Sequence, residues 1–111
     1  MEVINQSLDI RAKKEHQCDF CKQTIRKGDL YNNYFYKDGE PYSWKEHWQC
    51  SKLSDKFRND NEYEYGEGMS HDDFIEHLLI DLKENYGINR EGRTIKEMIN
   101  ICISKNGYKS I

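Results

Sequence analysis

The period of the apolar positions changes along this chain, and each change marks a different kind of element. From Met1 to Glu15 the residues Val3, Ile4, Leu8 and Ile10 follow no settled period, which leaves either an extended or a short helical lead-in. Arg11-Ala12-Lys13-Lys14-Glu15-His16 is too charged to leave water. Leu30-Tyr31-Asn32-Asn33-Tyr34-Phe35-Tyr36 has strong strand propensity, Asp38-Gly39 carries a tight-turn signal, and Pro41-Tyr42-Ser43-Trp44 reads as the returning strand. Pro41 fits an edge position, where its missing donor does no harm. From Glu46 to Arg58 a helical period appears in Trp48 or Cys50, Leu53 and Phe57. Asn59 to Met69 is polar and acidic and reads as a linker.

Two further helices follow. Ser70 is the expected N-cap of the first, with Asp72 and Asp73 at the positive end of its dipole. Phe74, Ile75, Leu78, Leu79, Leu82 and Tyr86 form its apolar face, and Gly87 its stop. Thr94-Ile95-Lys96-Glu97 matches a capping box and opens the second. There Ile95, Met98, Ile99, Cys102 and Ile103 make an apolar stripe that ends at Asn106-Gly107. The pattern predicts an α+β protein of one domain, 1–111, with a compact module over 15–58 and a helical appendage over 70–107.

Composition adds a constraint. Hydrophobic residues make up 36% of 111 residues, which is low for a core that holds itself together by apolar burial alone. A bound metal supplies the missing stability in many small modules. The start Met-Glu-Val-Ile-Asn-Gln has neither a basic leader nor an apolar run, so a cytoplasmic protein with reduced thiols is expected. No stretch reaches the roughly 18 apolar residues of a membrane span. The net charge of -3 is mild, but the charges are segregated. Asp60, Glu62, Glu64, Glu67, Asp72, Asp73 and Glu76 fall in one tract without Lys or Arg, while Arg11, Lys13, Lys14, Lys22, Arg26 and Lys27 gather before it.

Candidate chemistry centres on Cys18-Asp19-Phe20-Cys21 and His47-Trp48-Gln49-Cys50. Two ligands two residues apart point from one tight turn at one ion, and a His and a Cys at the same spacing do so from one helical turn. Cys18, Cys21, His47 and Cys50 therefore predict one structural zinc ion, with His47 and Cys50 both in the first turn of a helix. Ile25 can cover the site and Gly28 supplies a turn backbone. Three thiolates and an imidazole fill the four positions of a tetrahedral ion and leave none for a catalytic water. His16 is expected at the surface or in packing, because His47 has the better spacing to Cys50. Leu30 to Trp44 holds no histidine to serve a His-Asn-His nuclease, and no His-x-Glu accompanies a Pro-Cys-x-x-Cys. His71 and His77 are read as surface residues, and Cys102 as a buried inert thiol.

The order Cys18-x-x-Cys21, a hairpin with Asp38-Gly39, then His47-x-x-Cys50 resembles a treble-clef zinc finger. It is similar in ligand order to the first LIM module and to PARP-type fingers, without the second ligand set of a LIM domain. Cys-Asp-Phe-Cys, Ile-x-x-Gly-Asp-x-Tyr, Tyr-Ser-Trp-Lys and His-x-x-Cys, between Arg11 and Cys50, are also similar to small uncharacterised zinc proteins of phages and bacterial mobile elements. The resemblance implies knuckle, hairpin and helix around the ion. The expected function is non-enzymatic: a protein-binding adaptor or inhibitor directed at a bacterial host protein, with the tract from Asp60 to Glu76 as one candidate surface. The alternative is nucleic-acid binding through the six basic residues and the hairpin aromatics.

Overall fold

The tyrosine-rich run forms the middle of a sheet. In the computed structural model, which describes residues 2–38, 40–64 and 68–111, the elements are β1 (Glu2–Arg11), β2 (His16–Gln17), β3 (Thr24–Ile25), β4 (Leu30–Asp38), β5 (Glu40–His47), α1 (Trp48–Asp60), α2 (His71–Tyr86) and α3 (Ile95–Lys105). The class is α+β, with an antiparallel sheet in the order β1-β4-β5 and a two-stranded β2-β3 ribbon. Strands β4 and β5 pair as the expected hairpin, from Tyr31 opposite His47 to Asp38 opposite Glu40. Gly39 of the turn lies outside the described residues. Pro41 sits on the edge strand β5, as its missing N–H requires.

The lead-in, left open between extended and helical, is strand β1. It pairs with β4 from Glu2 opposite Lys37 to Arg11 opposite Leu30, so the hairpin becomes a three-stranded sheet. Its register slips between Ser7 and Ile10, where Asp9 takes a φ of 53° and its N–H donates to Asn32 Oδ1 at 2.8 Å. That bulge explains why no period of two is visible in the sequence.

The helix ends follow their caps. Ser70 Oγ accepts from the Asp73 N–H at 3.2 Å, and Thr94 Oγ1 from the Glu97 N–H at 3.1 Å. Gly87 closes α2 at φ 65°, a left-handed position that favours glycine. Buried residues run continuously from Cys18, Cys21, Ile25 and Cys50 through Leu53 and Phe57 to Phe74, Leu78, Met98 and Ile103. The stretch read as a linker is partly structural. Asn59 and Asp60 complete α1, Met69 is buried, and Tyr63 is half-buried with its hydroxyl 2.8 Å from His77 Nε2. Residues 65–67 of that stretch, and with them Glu67 of the acidic tract, lie outside the described residues.

Between the helices sits one polar cluster. Lys56 Nζ donates to Asp81 Oδ1 at 3.0 Å and to Asn106 Oδ1 at 2.9 Å, and Asn85 Nδ2 donates to Asp81 Oδ1 at 2.6 Å. Burial pushes the Asp81 carboxyl up, but the Lys56 and Asn85 hydrogen bonds outweigh it and hold the group below its ordinary value. Replacing Asp81 by asparagine is expected to cost about 2 kcal/mol near neutral pH. That is below the usual penalty for splitting a buried pair, because Lys56 can still reach water. A carboxylate with a lowered pKa stabilises above its unfolded value of about 3.9 and loses that contribution only as pH falls through the folded value. The gap in urea midpoint between Asp81→Asn and the parent chain should therefore stay constant from pH 8 to pH 5. A gap that already closes by pH 6 would contradict an ionised Asp81.

Candidate metal centre

Cys18 and Cys21 are brought together by a tight turn. The Lys22 N–H donates to the Cys18 carbonyl at 2.8 Å, the Cys18 N–H donates to Gln23 O at 3.0 Å, and the Cys21 N–H points at Cys18 Sγ at 3.5 Å. The left-handed residue of this knuckle is Lys22, at φ 62°, whereas Gly28, at φ 93°, serves the next turn. The knuckle is stitched to β5: the Asp19 N–H donates to Lys45 O at 2.7 Å, and the Lys45 N–H to Asp19 Oδ2 at 2.8 Å. The strand that ends at His47 is thus fixed against the turn that carries the two cysteines.

His47 is one residue short of its expected place. Helix α1 begins at Trp48, and His47 is both the last residue of β5, opposite Tyr31, and the N-cap of the helix, at φ -53° and ψ 145°. The reason is local: its N–H is directed at Cys18 Sγ, 3.4 Å away, so it belongs to the sheet and the knuckle before it belongs to the helix. Cys50 does lie in the first turn of α1. The His47 ring is oriented by Thr24, whose carbonyl lies 3.1 Å from Nε2. A carbonyl only accepts, so Nε2 carries the proton and Nδ1 presents its lone pair to the thiols. Nδ1 lies 3.3 Å from Cys21 Sγ and 3.8 Å from Cys50 Sγ.

All four side chains are buried, and their donor atoms lie within 4.8 Å of one another. Bonds of about 2.3 Å to sulfur and about 2.0 Å to nitrogen, in a tetrahedron, separate the donors by about 3.5 to 3.8 Å. The donor set fits a tetrahedral metal ion. Among themselves the three thiols are split. Burial pushes the Cys18 thiol up, but hydrogen bonds, first with Cys21 and then with Cys50, reverse this and hold it well below the usual thiol value. Cys21 is raised, first by its hydrogen bond with Cys18, and Cys50 is raised, first by burial. Three thiols this close in a dry site ionise together only around a cation.

The other candidates stand apart from the tetrad. His16 packs on Tyr31, with ring centroids 5.1 Å apart. His71 and His77, read as surface residues, are half-buried and join elements. His71 Nδ1 donates to the Phe20 carbonyl and so ties α2 to the knuckle, and His77 meets Tyr63. No local pattern announces either contact. Cys102 is buried, and burial together with Asp81 pushes its thiol up to about 12, in keeping with an inert group.

Two surfaces flank the centre. Hydrogen bonds of Ala12 with Asp29 and Gly28, and of the Arg11 guanidinium with Gly28 O, draw 11–14 against 26–29. Arg11, Lys13, Lys14, Arg26 and Lys27, all exposed, therefore form one basic shoulder. On the other side Tyr36, Tyr42, Trp44, Phe20, Met69 and Arg58 line a cleft of about 490 Å³. Its rings are in contact with one another: Tyr36 and Tyr42 stack at 5.3 Å, and Phe20 meets Trp44 edge-on at 5.0 Å. The acidic residues 60, 62, 64, 72, 73 and 76 are exposed. Among the described residues, no helix is long and apolar enough to cross a membrane. Compared with family models, curated proteins and solved structures, the chain matches none.

Proposed function

We propose that this chain is a non-enzymatic protein-binding module built on one structural zinc ion, with a knuckle, hairpin and helix of the treble-clef kind. The observation that carries the reading is the aromatic cleft beside the closed tetrad. Four buried protein donors leave a tetrahedral ion no position for a reacting water, which gives the metal a scaffolding role. Stability obtained from the ion lets the hairpin spend its aromatic residues on a surface rather than wholly on a core, and rings in a partly desolvated pocket are the side chains that anchor protein interfaces. The likeness to phage zinc proteins points to a bacterial host protein as the partner and to a cytoplasmic adaptor or inhibitor role.

The basic shoulder supports a second reading, nucleic-acid binding, because the fold gathers five cations that the sequence keeps in two groups. The two readings separate in one experiment. The tagged, zinc-loaded chain is used to capture material from nuclease-treated host extract, and the bound fraction is assayed for protein and for residual nucleic acid. The protein-binding reading expects one stoichiometric protein that survives both nuclease and moderate salt. Recovery of nucleic acid alone, or of proteins that vanish after nuclease, would replace it with the second reading. Affinity should then fall steeply with salt as phosphate counterions are released.

A further inference from the structure

Cross-strand pairing places Tyr34 opposite Trp44 and Tyr36 opposite Tyr42, so the four rings share one face of the sheet. Asn32 and Glu46, paired one step further along the same face, are covered by α1, where Asn32 Nδ2 donates to Ser51 Oγ at 3.0 Å. Toward the hairpin tip that cover gives way to the cleft. There the wall opposite the rings is Arg58 of α1, followed by Gly68, Met69 and Asp73.

Arg58 is the unusual member of that wall. Among the described residues its buried Nε has no hydrogen-bond partner and its guanidinium is in no ion pair. Arg58 as a whole is only half-buried and lines the cleft, and a guanidinium matches a carboxylate in shape and charge. Apart from Gly68, Ser70 and Asp73, the remaining lining is aromatic rings and a methionine, surfaces that favour another ring by edge and face contacts. A cleft of this volume lies within the range of pre-formed ligand sites. Asp73 sets the other limit: its carboxylate at the wall disfavours a polyanion and suits a positive group beside the ring. The complement is an aromatic ring with a single carboxylate close to it, in a basic setting.

We infer that the cleft seats an aromatic side chain of a protein partner whose neighbouring carboxylate pairs with Arg58, in a segment flanked by Lys or Arg. The chemistry of the site stands on the cleft itself; only the assignment to a protein rests on the protein-binding reading.

The test is an NMR titration of the isotope-labelled, zinc-loaded full chain with three probes: N-acetyl-tryptophan, N-acetyl-tryptophanamide, and the capped hexapeptide Lys-Ser-Trp-Glu-Ser-Lys. N-acetyl-tryptophan should shift the Trp44 indole and Arg58 Nε–H signals saturably. The amide, which lacks the carboxylate, should bind at least fivefold more weakly, and Arg58→Gln should abolish that difference. The hexapeptide should bind at least tenfold more tightly than the free acid. If Arg58→Gln does not fold, Tyr42→Ser, at an exposed position, should weaken all three probes at least threefold. Signals that stay unmoved up to the solubility limit, or acid and amide that bind alike to the parent chain, overturn the site. A free acid that binds as tightly as the hexapeptide overturns the protein source and assigns the cleft to a small aromatic acid. Probe binding alongside capture of nucleic acid alone would refute the protein source while upholding the cleft chemistry. Silent probes alongside a captured protein would refute the cleft and leave the protein-binding reading standing.

Discussion

Cys50→Ser should leave the chain without its metal and with its N-terminal half unfolded. Cys50 is fully buried in the first turn of α1, and its sulfur faces His47 Nδ1 at 3.8 Å. A serine hydroxyl is shorter, harder and protonated at neutral pH, so one of four ligands is lost outright. Structural zinc sites are worth about 10 to 16 kcal/mol in small finger modules. A whole domain is commonly stable by only about 5 to 15 kcal/mol. Losing even part of the first quantity uses up the second. The expected measurement is a metal content near zero, loss of the dispersed amide signals of 16–50, and the same spectrum when the parent chain is treated with a strong chelator. A folded, zinc-free Cys50→Ser protein would refute a structural role for the tetrad.

The second large effect is expected at Phe74. This ring is fully buried in α2, stacks on Phe20 of the knuckle at 4.9 Å and meets Phe57 of α1 at 5.6 Å. It is one of the side chains through which the cysteine-bearing turn and the helices share one core. Phe74→Ala removes a buried aromatic side chain from between two rings that are anchored on different elements and cannot both close the gap. Such truncations cost about 3 to 5 kcal/mol. Urea unfolding of the metal-loaded protein should show a midpoint shift of that size, with metal still bound at one ion per chain in the absence of denaturant. A cost below about 1 kcal/mol would mean that the knuckle and α2 fold independently of this contact.

What could be read in the sequence was whatever local rules determine. The tetrad is legible because ligand spacing is set by one turn of backbone. The starts of α2 and α3 are legible because Ser70 and Thr94 cap within four residues of themselves. What the sequence left open or misplaced shares a cause, which is contact between distant segments. Extended pairing of β1 depends on Asn32 accepting from Asp9 across the sheet, and nothing within 1–15 encodes that. His47 falls in the strand rather than the helix because Cys18, 29 residues away, takes its N–H. His71 looks like a surface residue until Phe20 supplies its acceptor. The cleft was invisible for the same reason: Phe20, Tyr36, Trp44, Arg58 and Met69 come from five segments, and their convergence is a property of the fold.

The stitching of Asp19 to Lys45 has a consequence beyond holding ligands in place. Strand β5 is an edge of its sheet, and an edge strand with unpaired backbone groups invites another chain to extend it. On β5 that invitation is withdrawn twice, by Pro41, which has no N–H to offer, and by the knuckle, which occupies both backbone groups of Lys45. If the tetrad holds a structural ion, the knuckle is expected to keep its shape only while that ion is bound. An ion held there would therefore protect against self-association as well as unfolding: a chain without it would expose the flank of β5, the strand of Tyr42 and Trp44, and its failure would be collective, with one copy templating the next.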